Sequence, residues 1–190
     1  MVTTVGWRAV EAALRAGHVC CPDCDQPLAP HGFAREREVR MRHGSRLLRP
    51  RRGVCRSCAR THVLLPAFCV PRRRDGVEVI GAALLAAAGG EGHRTIAARL
   101  DRPPGTVRGW LRAFAASAAP IRQCAVSCTV ELSDADALPR RLASSPTVAA
   151  LEALGCAARA CRLRFGPRGS PWELTVALTG GLLHGTPSPG

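Results

Sequence analysis

The chain holds 190 residues with a formal net charge of +13, and every one of its 27 basic residues is arginine. A balance that basic excludes a neutral or acidic surface and points to an anionic partner, nucleic acid ahead of an anionic membrane. Lysine, asparagine and tyrosine, whose codons are AT-rich, are all absent, so the use of arginine reads as a high-GC bacterial genome rather than a preference for bidentate recognition.

At the N-terminus, "MVTTVGWRAVEAALRAG" has Arg8, Glu11 and Arg15 where a signal peptide needs an unbroken apolar core. No apolar stretch is long enough to suggest a membrane span. The expectation is a cytoplasmic, nucleoid-associated protein with no membrane partner. Ten cysteines in a reducing compartment then point to metal, catalysis or packing rather than disulfides. Residues 5–16 predict a short helix, with Val5, Ala9, Ala12, Ala13, Trp7 and Leu14 on its apolar side.

"CPDC" (Cys21, Cys24) and "CRSC" (Cys55, Cys58) are two CxxC pairs separated by thirty residues. Each such turn brings two thiolates to one cation, and two turns complete a closed tetrahedral Zn²⁺ site. The long spacing fits a β-hairpin between the knuckles, the plan of a zinc ribbon. A thioredoxin-like redox motif needs only one CxxC and a βαβ context. A zinc deaminase needs His-x-Glu upstream, but His18 is followed by Val19 and Cys20. Cys20 adjoins Cys21 and is an alternative ligand. Glycine usually follows a knuckle to let it close, whereas here Asp25 and Ala59 stand there.

Residues 35–41 and 46–49 predict strands around a turn at "HGS". Eight arginines fall within residues 35–52. Two roles are open to them, a solvated ribbon face or contact with phosphate. Arg49, Arg51 and Arg52 are the candidate phosphate contacts. Cys69, Cys124, Cys128, Cys156 and Cys161 are read as small buried hydrophobes, with a second metal site the lesser alternative.

Residues 77–88, "VEVIGAALLAAA", predict a helix that supports the next two. In "GHRTIAARLDRPPGTVRGWLRAF" (Gly92–Phe114) the first helix spans Arg94 to Leu100 and the second about Pro104 to Ala116. Ile96, Ala97 and Leu100 share one face, while Val107, Trp110, Leu111 and Phe114 recur at i, i+3, i+4, i+7 on the other helix. Asp101 takes the φ > 0 position of the corner, and Pro103 and Pro104 sit where a missing N–H costs little. This spacing is the helix-turn-helix pattern, whose second helix enters the major groove of double-stranded DNA by its N-terminal residues. Arg108 is the expected base reader, with guanine as its usual partner. Arg102, Thr106 and Arg112 are the expected phosphate contacts.

Further on, "PTVAALEALGCAARACRLRF" and "SPWELTVALTGGLL" predict helices that either cap the preceding ones or form a homodimer interface, and "GTPSPG" a frayed tail. Breaks near 71–76 and 117–121 divide the chain into an N-terminal helix (1–17), a zinc ribbon (18–75), a helix-turn-helix domain (76–119) and a helical C-terminal region (120–190). The fold class is α+β.

"CPDC…CRSC", then "RTHVLLPAF", then "IAARL…TVRGWLRAF" resembles the N-terminal region of insertion-sequence transposases, over roughly residues 18–116. The chain is also similar to short zinc-ribbon/helix-turn-helix proteins of unknown function from high-GC bacteria. The resemblance implies a DNA-binding, mobile-element-associated protein. Such transposases continue into a catalytic domain whose three carboxylates bind Mg²⁺. Here about 70 residues follow and read as helices, and Glu131, Asp134, Asp136, Glu152 and Glu173 lack the strand pattern to arrange them. The chain is therefore expected not to be an enzyme, and no small-molecule substrate is evident. The main expectation is a DNA-binding regulator or mobile-element component. The alternatives are a truncated transposase acting with a catalytic partner in trans, and a zinc-stabilised RNA- or protein-interaction module.

Overall fold

A computed structural model describes residues 2–4, 10–133, 145–167 and 169–179. The fold is mixed α+β, with a four-stranded sheet, a separate two-stranded sheet and seven helices among the described residues. In chain order these are β1 (Val2–Thr4), α1 (Val10–Arg15), β2 (Leu28–Phe33), β3 (Arg37–Arg40), β4 (Ser45–Leu48), β5 (Arg51–Cys55) and β6 (Thr61–Pro66). Then come α2 (Val77–Ala88), α3 (His93–Leu100), α4 (Pro104–Ala116), α5 (Ala118–Leu132), α6 (Pro146–Phe165) and α7 (Pro171–Leu178).

The single hairpin expected between the two CxxC turns is more elaborate. β2 leaves the first turn and pairs antiparallel with β5, which enters the second, so that Leu28 faces Cys55. β3 and β4 form their own hairpin between them, with Val39 opposite Arg46. That insertion accounts for the thirty-residue spacing. β6 follows the second turn and pairs with β5, and β1 adds in parallel to β6, giving the order β1-β6-β5-β2. The predicted N-terminal helix is observed as α1 over 10–15, its earlier half lying outside the described residues, as does the tail.

Four apolar clusters result among the described residues, the smallest being Ala158, Cys161 and Leu174 on α6 and α7. Leu14, Val19, Leu28 and Leu64 pack with Cys21 and Cys55 beneath the cysteine turns. Val39 and Leu48 of the hairpin pack on Leu65, Phe68 and Cys69. The largest cluster joins α2–α4 to the C-terminal helices. Each uses the residues that alternate along its strands or recur along its helices, as burial of one face requires.

α2 keeps its predicted bounds and buries Val77, Val79, Ile80, Gly81, Ala83 and Leu84. α3 ends in a left-handed Asp101 (φ 52°, ψ 55°), with Arg102 N–H donating to Ala97 O and Asp101 N–H to Ala98 O. This pair of bonds is the Schellman closure, normally built on glycine. Pro104 then opens α4, whose Val107, Trp110 and Phe114 are buried. Trp110 lies in one cluster with Ile96, and Leu100 packs against it.

The expected break at 117–121 is a corner between helices. Ser117 is non-helical (φ −106°, ψ 8°), and α5 starts beside it with Pro120 in its first turn, where proline is tolerated. α5 packs along α6 through small side chains: Ala125 on one, Ala150, Ala153 and Ala157 on the other. A Ser170–Glu173 capping box starts α7. α7 reaches α2, where Trp172 lies across Gly81 so closely that a β-carbon there would fall inside the indole.

Gly81→Ala should therefore destabilise the chain by about 1–3 kcal/mol through overpacking. In a Trp172→Leu background the same change should cost much less. Urea unfolding of the four proteins measures the coupling. Equal costs in both backgrounds would place α7 elsewhere.

Candidate metal centre and basic face

The two CxxC turns have the same backbone. Cys21 N–H donates to Gln26 O and Cys55 N–H to Arg60 O, both at 2.8 Å. Asp25 and Ala59, the residues after each second cysteine, are left-handed with φ of 62° and 58°. The knuckle thus keeps its glycine-like conformation without glycine. The strain is greater at Ala59, which has no side-chain oxygen to offset it.

These turns bring Cys21, Cys24, Cys55 and Cys58 together, with all four sulfurs within 4.8 Å of one another. Sγ of Cys21 is 3.7 Å from that of Cys58, and Sγ of Cys24 is 3.4 Å from that of Cys55. A tetrahedral ion with metal–sulfur bonds of about 2.3 Å sets its sulfurs about 3.8 Å apart, close to this spacing. The donor set can therefore bind a metal ion. Cys21 and Cys55 are buried, while Cys24 and Cys58 face partly outward. Cys20 is exposed, pairs with Pro27 by a lone β-bridge and stands outside the cluster, to which Cys21 belongs.

The thiols compete for protons. The Cys58 N–H does most to pull Cys55 down, helped by side-chain bonds from Cys24 and Cys58, and the thiol titrates at about 7. Cys24 also receives a backbone N–H, from Gln26. The bonds it shares with Cys55, Cys58 and Cys21, together with burial, outweigh that and push it up to about 12. Cys58 is raised as well: the Arg60 N–H lowers it, but burial and its bonds with Cys55 and Cys21 prevail. Four adjacent thiols cannot all ionise unaided, and a central divalent cation removes that conflict.

Two neighbours escaped the sequence. His62 on β6 is buried with Nε2 3.3 Å from Cys21 Sγ, and Asp23 Oδ2 is 3.6 Å from the same nitrogen. With Nε2 protonated, His62 would donate to Cys21 Sγ and could steady that sulfur as an outer partner. The signal was the alternation of "THVLLP", which puts His62 and Leu64 on one face of β6. No further group of three metal-ligand side chains occurs among the described residues beyond these two overlapping ones, so Cys69, Cys124, Cys128, Cys156 and Cys161 assemble no second site.

The basic residues divide. On α4, Arg108 and Arg112 are exposed and Thr106 is half-buried. Arg102, expected to be free for phosphate, is not: its side chain is 12% exposed and its Nε donates to Asp75 Oδ1 at 2.6 Å. Asp75 also accepts from Arg40 Nη2 at 2.7 Å and is itself buried. Arg102 reaches Met41 O and the carbonyls of Leu100 and Asp101 as well. Arg51, likewise expected on phosphate, is committed to Glu11 by two bonds and to Gly32 O. Arg52 is half-buried, with an Nε shielded from solvent. Arg49 alone of that trio is exposed, stacked 5.2 Å over the Phe33 ring. Among the carboxylates, Glu173 serves its capping box and Glu131 and Glu152 are exposed on helices, while Asp134 and Asp136 lie outside the described residues.

Residues 21–102 match the model of a family described as a domain of unknown function (DUF6431). No curated protein and no solved structure matches the chain. No helix among the described residues is long and apolar enough to cross a membrane.

Protein purified without chelator should carry one metal ion per chain; Cys20→Ser should keep it and Cys21→Ser should lose it. Stripping the ion should melt the sheet of residues 18–66 while most helical circular dichroism persists. Elemental analysis that finds no metal, or finds it retained in Cys21→Ser, contradicts the site.

Ala59→Gly should stabilise the loaded protein by about 0.5–1 kcal/mol. Relief of a left-handed alanine, about 1–2 kcal/mol, exceeds the extra entropy of an unfolded glycine, about 0.5–1 kcal/mol. A lower melting temperature for this variant would show that the second knuckle is not so strained.

Proposed function

We propose that the chain is a duplex-DNA-binding protein in which a zinc-stabilised ribbon and a helix-turn-helix pair face the nucleic acid together. The observation that carries this reading is the division of α4: Val107, Trp110 and Phe114 are buried, while Arg108 and Arg112 are exposed beyond a left-handed corner at Asp101. A helix with a basic outward face and a packed inward one, set after a tight turn, suits insertion into a major groove. Arg108 would read base edges and Arg112 and Thr106 would hold phosphates. Zn²⁺ is the ion that four thiolates in a closed tetrahedron favour, and its role would be structural. The net charge of +13 supports an anionic partner. The binding would serve a regulator or a mobile-element protein.

A second reading, single-stranded RNA held by the ribbon, has one observation in its favour. Phe33 is 52% exposed, and the guanidinium groups of Arg49 and Arg51 lie 5.2 and 4.6 Å from its ring centroid. An exposed ring flanked by cations suits base stacking. Titration against duplex DNA and single-stranded RNA of equal length separates the two readings.

Arg108→Ala should leave stability nearly unchanged yet lose roughly 1–3 kcal/mol of discrimination at one base pair. Trp110→Ala should cost about 3–5 kcal/mol of stability by opening a core cavity, with binding lost as a consequence. Thermal melting beside titration of a selected and a scrambled duplex tests both. A folded Arg108→Ala protein that keeps its full sequence preference would remove α4 as the reader.

A further inference from the structure

Between the tip of the β3–β4 hairpin and the α3–α4 corner lies a cleft of about 490 Å³. Arg40, Arg42, His43, Arg99 and Arg102 line it, against one carboxylate, Asp101. Arg40 and Arg102 are held by Asp75, so they form a fixed positive floor rather than mobile side chains. Arg42 and His43 are exposed on the hairpin turn. Arg99 is engaged only in an exposed pair with Glu91 at 3.2 Å, which water and salt readily exchange. The backbone of this corner is fixed from both sides: Arg40 N–H donates to Arg74 O, Gly76 N–H to Arg40 O, and Arg102 Nη2 to Met41 O.

We infer that this cleft is a phosphodiester site, in which Arg42 and His43 from the hairpin and Arg99 from α3 close on one backbone phosphate of a DNA duplex. The inference rests on the duplex-DNA reading and adds to it a composite contact made by the hairpin and the helical corner. The cleft opens beside the residues that lead into α4, so a strand running past a groove-bound α4 would present a phosphate there. A preorganised positive pocket holds a phosphate with little reorganisation. Asp101 works against the ligand. Its left-handed backbone suits asparagine equally well, so Asp101→Asn removes the charge without disturbing the turn.

The experiment measures binding of the metal-loaded full chain to a random-sequence duplex across a salt series. Arg42→Ala/His43→Ala should weaken binding at least threefold at 0.1 M salt. It should also flatten the plot of log K against log[salt] by about one unit, the contribution of one phosphate. Asp101→Asn should tighten binding two- to fivefold. Inorganic phosphate added as competitor, with ionic strength held constant, should displace duplex from the wild type more readily than from Arg42→Ala/His43→Ala. Duplex binding with an unchanged slope in the double variant, or no gain from Asp101→Asn, overturns the cleft while leaving the duplex reading intact. A wild-type chain that binds phosphate but no duplex overturns the duplex reading, and with it the backbone phosphate as the ligand.

Discussion

One buried carboxylate ties the β3–β4 hairpin to the α3–α4 corner. Asp75 lies in the link between β6 and α2 and accepts from Arg40 on β3 and from Arg102 at the α3–α4 corner. A carboxylate with two guanidinium partners keeps one net positive charge, so the group is satisfied and still attractive to anions. Removing the acid would leave two arginines facing each other in a half-buried site, the costly way to break such a cluster. The hairpin's position against the helices follows from this contact and from the backbone bonds of residues 74–76 beside it.

The cysteine turns depend on a second constraint, which is local. Each knuckle must close on a left-handed residue, and neither has glycine there. The sheet then carries the geometry: β2 and β5 each begin or end at a knuckle, and their pairing sets Leu28 opposite Cys55. His62 enters from β6, across from Gly53 on β5. The four sulfurs and His62 are thus placed by three strands, apart from the hairpin inserted between β2 and β5.

Local signals were legible and distant pairings were not. The helix at 77–88 and the one opening at Pro104 were readable because apolar spacing and Gly or Pro punctuation act within a few residues. The grouping of the four cysteines was readable because CxxC carries its own geometry. The contacts of Arg102 with Asp75, of Arg51 with Glu11 and of His62 with Cys21 were hidden because they join residues 27 to 41 positions apart, and the strand order because β1 pairs with a strand some sixty residues on. Arginine looked uniformly available in the sequence. Burial divides it into residues consumed by Glu11 and Asp75 and residues left for a ligand.

The strand order also dictates a sequence of assembly. β1 precedes the rest of its sheet in the chain, yet its partner is β6, so it cannot pair until residues 61–66 have been made. α2, α3 and α4, by contrast, make contacts between neighbours in the chain and can form promptly. Until β1 docks, β6 stands open along one edge. Such an edge recruits other strands. The docking of one short strand thereby decides whether the young polypeptide stays solitary.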